Sequence, residues 1–224
     1  MSAVHPLHVL VMAKAPVPGR VKTRLCPPLS PRAAAEIAEA ALADTFHAVA
    51  MCGADVKIVA LDGPPGPWLP EGFRVVPQVG RGLDDRLAEA WAATRDHSAG
   101  WGIQIGMDTP QVASAELDAL LERLRRQGPG SALLGPAVDG GWWVVGLTGS
   151  DPHRVFRGVP MSTPQTGVMQ LARLRALGLA TRVVEAQRDI DTVADLAAVT
   201  AQNPHTCTAW AWRRWMTSPE PVDQ

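Results

Sequence analysis

Residues 9–24, VLVMAKAPVPGRVKTR, set the frame for the whole chain. From Val9 to Ala13 the residues are apolar without alternation, and the run stops at a loop of prolines, glycine and cations. A short uninterrupted apolar run reads as a strand covered on both faces, as in a parallel α/β sheet. Lys14, Arg20, Lys22 and Arg24 then fall within eleven residues. Pro16 and Pro18 restrict the backbone, and Gly19 permits a conformation closed to other residues. Ligands of open α/β sheets sit beyond the carboxyl ends of the strands, so a preorganised cationic loop there suits a phosphate-bearing ligand. A solvated basic loop is the competing reading of this stretch taken alone. A kinase-type P-loop is excluded, because it needs Gly directly before Lys-Ser/Thr, and Arg20 and Val21 separate Gly19 from Lys22. The dinucleotide fingerprint GxGxxG is absent after this strand as well.

The rest of the chain repeats the strand–helix alternation of a mainly parallel α/β sheet. Strands are expected at 8–13, 56–61, 73–76, 101–105, 131–134, 142–147 and 180–184. Helices are expected at 31–51, 84–95, 114–127, 163–178 and 192–201. Ser30-Pro31 supplies an N-cap followed by proline at the first helical position. Residues 63–72, GPPGPWLPEG, can only be a surface loop. With 224 residues the chain is long enough for one sizeable domain, placed at 1–203. A Trp-rich tail, 204–224, follows. Its Trp210, Trp212 and Trp215 fit neither a clean helical face nor strict strand alternation, so docking on the domain or on a second subunit is expected. A homodimer through this tail would follow from the latter. The last residues, SPEPVDQ, are expected to be disordered.

Net charge −1 argues against a generally basic nucleic-acid binder. Cys26, Cys52 and Cys207 form no CxxC pair, and the scattered His residues have no metal-ligand spacing, so neither a disulfide framework nor a zinc site is expected. No GxSxG is present and Cys26 has no evident His partner, which argues against acyl-enzyme chemistry. No apolar run approaches the roughly 18 residues of a membrane span, and the N-terminus lacks the pattern of a secretory signal. A cytoplasmic location is the expectation.

Three acidic stations follow apolar strands: Asp108, Asp139, and the pair Asp189/Asp191. Strand-end carboxylates share one edge of the sheet and can converge, although a lone Asp in a turn such as GMDTP is commonly a cap. Mg²⁺ favours oxygen ligands, often one or two carboxylates completed by phosphate oxygens and water. Gly140-Gly141 lets backbone approach a ligand closely. The following Trp142 and Trp143 would form a floor or belong to the core. Arg86, opening a helix, could hold a phosphate or merely pair with Asp85 or Asp189. Together these residues describe a phosphate-rich ligand on a cationic loop, opposite a divalent metal on convergent carboxylates.

AKAPVPGRVKTRL, QVGRGLDDR, IGMDTP, GPAVDGGWWVVGL and RDIDTVADL, in this order, resemble an uncharacterised bacterial family of GT-A-like transferases. Its members are described as glycosyltransferase-like or nucleotide-diphospho-sugar transferase-like, and some as arsenosugar-biosynthesis glycosyltransferases. The family is similar to the molybdenum-cofactor and phospholactate guanylyltransferases. The resemblance covers residues 9 to about 200. It implies a three-layer α/β/α domain on a mixed, mostly parallel seven-stranded sheet, with nucleotide over its N-terminal half. It implies nucleotide binding by Ala13, Lys14, Gly19, Arg20, Lys22, Arg24, Gln78, Gly80 and Arg86. Metal binding, by Mg²⁺ or Mn²⁺, falls to Asp108, Asp189 and Asp191, and acceptor binding to Gly140, Gly141 and Ser162. Asp108 and Asp139 are the candidate catalytic residues, Asp139 as general base. Two departures stand out. Asp84 replaces an expected Gly and brings a carboxylate towards the nucleotide site, and Trp142-Trp143 replaces an expected Tyr. Two reactions are compatible with the motifs. One is glycosyl transfer from a nucleoside-diphosphate sugar to a small-molecule acceptor. The other is nucleotidyl transfer from a nucleoside triphosphate with release of pyrophosphate. A nucleotide-binding protein without catalysis is the third reading.

Overall fold

A computed structural model describes residues 5–217. Seven strands form one sheet: β1 (His8–Lys14), β2 (Val56–Asp62), β3 (Arg74–Pro77), β4 (Trp101–Gly106), β5 (Ser131–Pro136), β6 (Trp142–Thr148) and β7 (Ala180–Val183). Their order is β3-β2-β1-β4-β6-β5-β7. All are parallel except β6, which runs antiparallel to both β4 and β5. Among the described residues eight α-helices accompany them: α1 (Pro31–Met51), α2 (Leu83–Ala92), α3 (Arg95–Ser98), α4 (Ser114–Gln127), α5 (Pro152–Phe156), α6 (Thr166–Ala176), α7 (Val193–Gln202) and α8 (Cys207–Thr217). The three-layer α/β/α architecture implied by the motifs is the one observed.

Alternation along β1 builds both interior layers. Val9 and Val11 face α1 and α4, where Leu42, Phe46, Leu117 and Leu121 close the core. Leu10 faces the other way, among Leu87 and Trp91 of α2, Phe156 of α5 and Leu174 of α6. Central strands buried on both sides explain why VLVMA carries no polar alternation. α1 starts where the sequence signalled, with Ser30 Oγ accepting from the Ala33 amide at 3.1 Å, a cap worth about 1 kcal/mol.

Four local differences from the sequence pattern have physical causes. The helix expected over 84–95 breaks after Ala92, where the Thr94 hydroxyl donates to the Trp91 carbonyl at 2.8 Å. α3 then ends on Ala99 in the left-handed region. α6 begins at Thr166 rather than at residue 163, because the Thr166 hydroxyl accepts from the Thr163 amide and holds that turn outside the helix. The short α5, capped by Asp151 with Pro152 at its first position, was not anticipated.

The tail is the fourth difference. Residues 207–217 are a helix, anchored by Asp44 of α1, whose carboxylate accepts from the Cys207 and Thr208 amides at 2.8 Å each. Ala211, Trp212 and Trp215 pack on Ile37, Leu196 and Val199, so the tail docks on its own domain. Trp210 points outward, 61% exposed, and counting it with the other tryptophans hid the helical period. Residues 218–224, expected to be disordered, lie outside the described residues. Among the described residues no helix is long and apolar enough to cross a membrane.

Candidate functional site

The carboxyl ends of β1, β2, β4 and β5 and the entry of antiparallel β6 meet at one edge of the sheet. A cavity of about 650 Å³ lies there, within the range of roughly 300–1,000 Å³ usual for small-molecule sites. Its lining includes Ala13, Lys14, Arg24, Gln78, Arg86, Asp108, Asp139, Gly141, Ser162, Asp189 and Asp191, which the sequence had singled out. Asp62, Trp142, Thr163 and Asp195 line it too.

One half of this cavity is cationic. Lys14 leaves the end of β1, and Arg86 the first turn of α2. Both face Asp62 at the end of β2, at 3.9 and 3.4 Å. Gln78 follows β3, and its side-chain amide donates to the carbonyls of Ala13 and Ala60, 2.9 Å each. Two carbonyl partners fix which end of the amide is nitrogen. Gln78 Oε1 is therefore left as a free acceptor beside the apolar Met12, Leu83 and Leu87. Asp62 was not singled out from the sequence. The signal was available, because an Asp closes the apolar run of β2 much as Asp108 follows β4.

The other half is acidic. Asp108 follows β4, and its backbone carbonyl accepts from the Ile190 amide at 2.8 Å, tying two of the acidic stations together. Ile190 is buried between Asp189 and Asp191, so both flanking carboxylates are turned into the cavity. Asp139 accepts from the Gly141 amide at 2.8 Å. Burial, together with the charges of Asp139, Asp191 and Asp108, pushes the Asp189 carboxyl up to about 6; a backbone hydrogen bond opposes the rise. Gly140 has φ +93°, and a Cβ there would come within 2.1 Å of the Pro164 carbonyl oxygen. Its own carbonyl accepts from the Gly167 amide at 2.8 Å, which clamps the DGG turn to the start of α6. Ser162, at φ +58°, adopts the left-handed region without being glycine.

Two of the expected cations are engaged at the boundary. Lys22, only 7% exposed, contacts the Asp108 carboxylate and the Ile190 carbonyl from behind the wall and does not line the cavity. Arg24 pairs with Asp191 at 2.6 Å. Gly19 and Arg20 stand apart on an exposed turn, because Pro18 and Gly19 carry the chain away from the sheet edge before it returns at Lys22. Gly80 shapes the loop rather than lining the cavity: a Cβ there would press on the Arg86 amide and the Asp85 carboxylate at 2.9 Å. Gly140 likewise acts through its backbone.

Both departures from the family motifs resolve. Asp84 turns away from the cavity and accepts from the Gly158 amide at 2.9 Å, latching α2 to the end of α5. Trp143 is core, its indole donating to the Glu185 carbonyl at 2.9 Å, while Trp142 lines the cavity beside Phe156. Arg86 pairs with Asp62, not with Asp85 or Asp189. Asp85 is taken by Arg157 at 2.7 Å.

The donor set of the acidic half is all oxygen, which suits Mg²⁺ or Mn²⁺. Among the described residues no three acidic, His or Cys side chains form a ready-made metal cluster. Burial is the largest cause of the raised Asp189 carboxyl and the neighbouring carboxylates add to it, so a cation placed beside them would favour its charged form.

Residues 33–163 match the family of uncharacterized proteins conserved in bacteria, DUF2064, and the chain belongs to that family. No curated protein matches the chain. Among solved structures it is similar to a candidate nucleotide-diphospho-sugar transferase from Desulfovibrio desulfuricans G20, with 23% identity, 96% of each chain covered and a TM-score of 0.84. A cytidylyltransferase from Leptospira borgpetersenii gives 12% identity, 99% and 100% coverage and a TM-score of 0.57. Rv0371c from Mycobacterium tuberculosis H37Rv, in complex with manganese, gives 19% identity, 88% and 98% coverage and a TM-score of 0.51. The fold is thus GT-A-like, that of the nucleotide-diphospho-sugar transferases.

Proposed function

We propose that this protein is a divalent-metal-dependent transferase that uses a nucleotide donor, and that it transfers a glycosyl group from a nucleoside-diphosphate sugar. The observation that carries the reading is the division of one cavity into a cationic half and a carboxylate half at the carboxyl edge of the sheet. The base lies against Met12, Leu83 and Leu87, with Gln78 Oε1 accepting an N–H from its edge. Lys14 and Arg86 lie towards the donor phosphates. The resemblance to a nucleotide-diphospho-sugar transferase structure supports the donor class.

Asp108, Asp189 and Asp191 would hold the metal, which neutralises charge on the departing diphosphate. In the reaction the acceptor hydroxyl oxygen bonds to the anomeric carbon. The bond from that carbon to the diphosphate oxygen breaks, and its electron pair leaves with the nucleoside diphosphate. The hydroxyl proton passes to Asp139, which projects from the DGG turn on the side opposite the cations.

Nucleotidyl transfer is the second reading, supported by a cytidylyltransferase among the similar folds. A row of four free cations would have favoured a triphosphate. Lys22 and Arg24 are instead committed to Asp108 and Asp191, and Arg20 lies outside the cavity. The test is a thermal-shift panel of nucleoside triphosphates against nucleoside-diphosphate sugars, with and without Mg²⁺ or Mn²⁺. A ligand of the native state raises the midpoint with RT ln(1 + [L]/Kd). A metal-dependent shift with a diphospho-sugar, and release of nucleoside diphosphate on turnover, is expected. A shift confined to triphosphates, with pyrophosphate as product, would move the assignment to nucleotidyl transfer. Binding without turnover across a broad acceptor set would leave a nucleotide-binding protein.

A further inference from the structure

Every cation lining the cavity already has a carboxylate partner. Lys14 and Arg86 share Asp62, and Arg24 is held by Asp191. On the opposite side the balance is reversed. Asp139 and Asp189 line the cavity, and no Lys, Arg or His among the described residues pairs with either. Asp108, Asp191 and Asp195 line the cavity as well, and the neutral groups beside them are the hydroxyl-bearing Ser162 and Thr163, the thioether of Met161, and the Trp142 indole. Arg188, near in sequence, is directed to Asp195 at 2.8 Å. A divalent ion shared with the donor leaves this balance in place, because its charge is matched by that of the diphosphate.

We infer that the acceptor is a hydroxyl compound that is uncharged or cationic, seated with its apolar face on Trp142 and its polar edge towards Asp139, and that phosphorylated and carboxylated acceptors are rejected. This rests on the transferase reading above. The physical reason is twofold. A phosphate monoester brought beside Asp139 meets a like charge with no cation to offset it, and like-charge juxtaposition in a desolvated site is a strong discriminator. An ammonium or hydroxyl group finds an acceptor there instead. The indole offers a flat apolar surface of the kind a pyranose ring face covers, and its electron-rich face favours a cation over an anion. Nucleotidyl transfer to a phosphorylated acceptor needs an anion on this side, and the side chains present oppose it.

The test uses the full chain with Mg²⁺, probed by saturation-transfer NMR with methyl glucoside, glucosamine and glucose 6-phosphate. Thermal shift with nucleoside diphosphates and their sugars is run on the same samples. Methyl glucoside and glucosamine are expected to bind at least about tenfold more tightly than glucose 6-phosphate. Asp139→Lys should reverse that order, and Trp142→Ala should weaken the sugar probes about tenfold. Retention of the nucleotide shift reports that each variant is folded. Should Asp139→Lys fail that check, Asp139→Asn is expected to narrow the gap between glucose 6-phosphate and the other two probes. Glucose 6-phosphate binding as well as the other two, or no saturation transfer to any probe in a protein that binds nucleotide, overturns the acceptor inference alone. Absence of any nucleotide shift in the unaltered protein removes the transferase reading and the inference with it.

Discussion

At the amino end of the parallel strands polar groups are sealed in and neutral, whereas at the carboxyl end charges face an open cavity. His8 opens β1 fully buried, its Nδ1 2.7 Å from the Ser98 hydroxyl and its ring edge-on to Trp91. Ser131 and Thr148 close the same edge on β5 and β6, the Ser131 amide donating to the Thr148 hydroxyl at 2.8 Å. Gly102 lets β4 pass so near that a Cβ would come within 2.2 Å of the His8 carbonyl oxygen. The opposite edge gathers Lys14, Asp62, Arg86, Asp108, Asp139 and Asp189 around empty space. One set of strands therefore supplies stability at one end and chemistry at the other, and the titrating groups follow. Burial lowers the His8 imidazole to about 3, although a backbone hydrogen bond raises it in part, and burial raises the Asp189 carboxyl at the far end.

The comparison predicts large functional and small structural effects at the carboxyl end. Asp108→Ala should lower turnover about a hundredfold or more while the far-UV spectrum and cooperative unfolding persist. Near wild-type turnover in this variant would remove Asp108 from the mechanism. Gly140→Ala is the exception that would break the pattern. Its positive φ and the collision with the Pro164 carbonyl should cost about 2–3 kcal/mol of stability in urea unfolding, with nucleotide binding retained. An unchanged midpoint would mean that the DGG turn is not clamped to α6.

His8 tests the amino end through pH. Its folded pKa lies below the unfolded value, so the unfolded chain binds the extra proton between about 3 and 6.5. Its contribution is whole above pH 6.5 and is lost as pH falls through that window, by about 2 kcal/mol at pH 5. Stability measured from pH 7.5 to 5 should decline more steeply in the native protein than in His8→Leu. Parallel curves would show that the sealed end tolerates a charged imidazole.

How much of this was legible in the sequence follows the same division. The strands and long helices were readable because their apolar runs are set by burial on one or both faces, a local signal in Val9–Ala13 and in Leu117, Leu120, Leu121 and Leu124. The strand ends carrying Asp108, Asp139, Asp189 and Asp191 were readable because topology brings them to one edge. Pairings across the site were not. Nothing local distinguishes Lys22, which turns behind the wall to Asp108 and Ile190, from Lys14, which faces the cavity. Asp84 likewise turned out to serve α5, a helix the pattern did not reveal. The antiparallel direction of β6, which sets Trp142 at the cavity, was not legible at all: the family resemblance implied a mixed sheet without saying which strand reverses.

Arg24 joins the two halves and carries the smallest expected effect. It is 69% exposed, and its 2.6 Å pair with Asp191 is open to solvent, so Arg24→Ala should change stability by less than about 1 kcal/mol. Its effect on ligands runs through charge. With the Arg24 charge gone, Asp191 is left as an uncompensated acid that repels the donor phosphates. Nucleotide affinity should fall about fivefold at low salt, and that difference should shrink as ionic strength rises and the exposed charges are screened. Asp191 freed of its partner should at the same time bind Mn²⁺ more tightly in the absence of nucleotide, a change readable by water-proton relaxation. If metal affinity without nucleotide stays the same, Asp191 is held by Arg24 for structure alone, and the two halves meet only through the ligand.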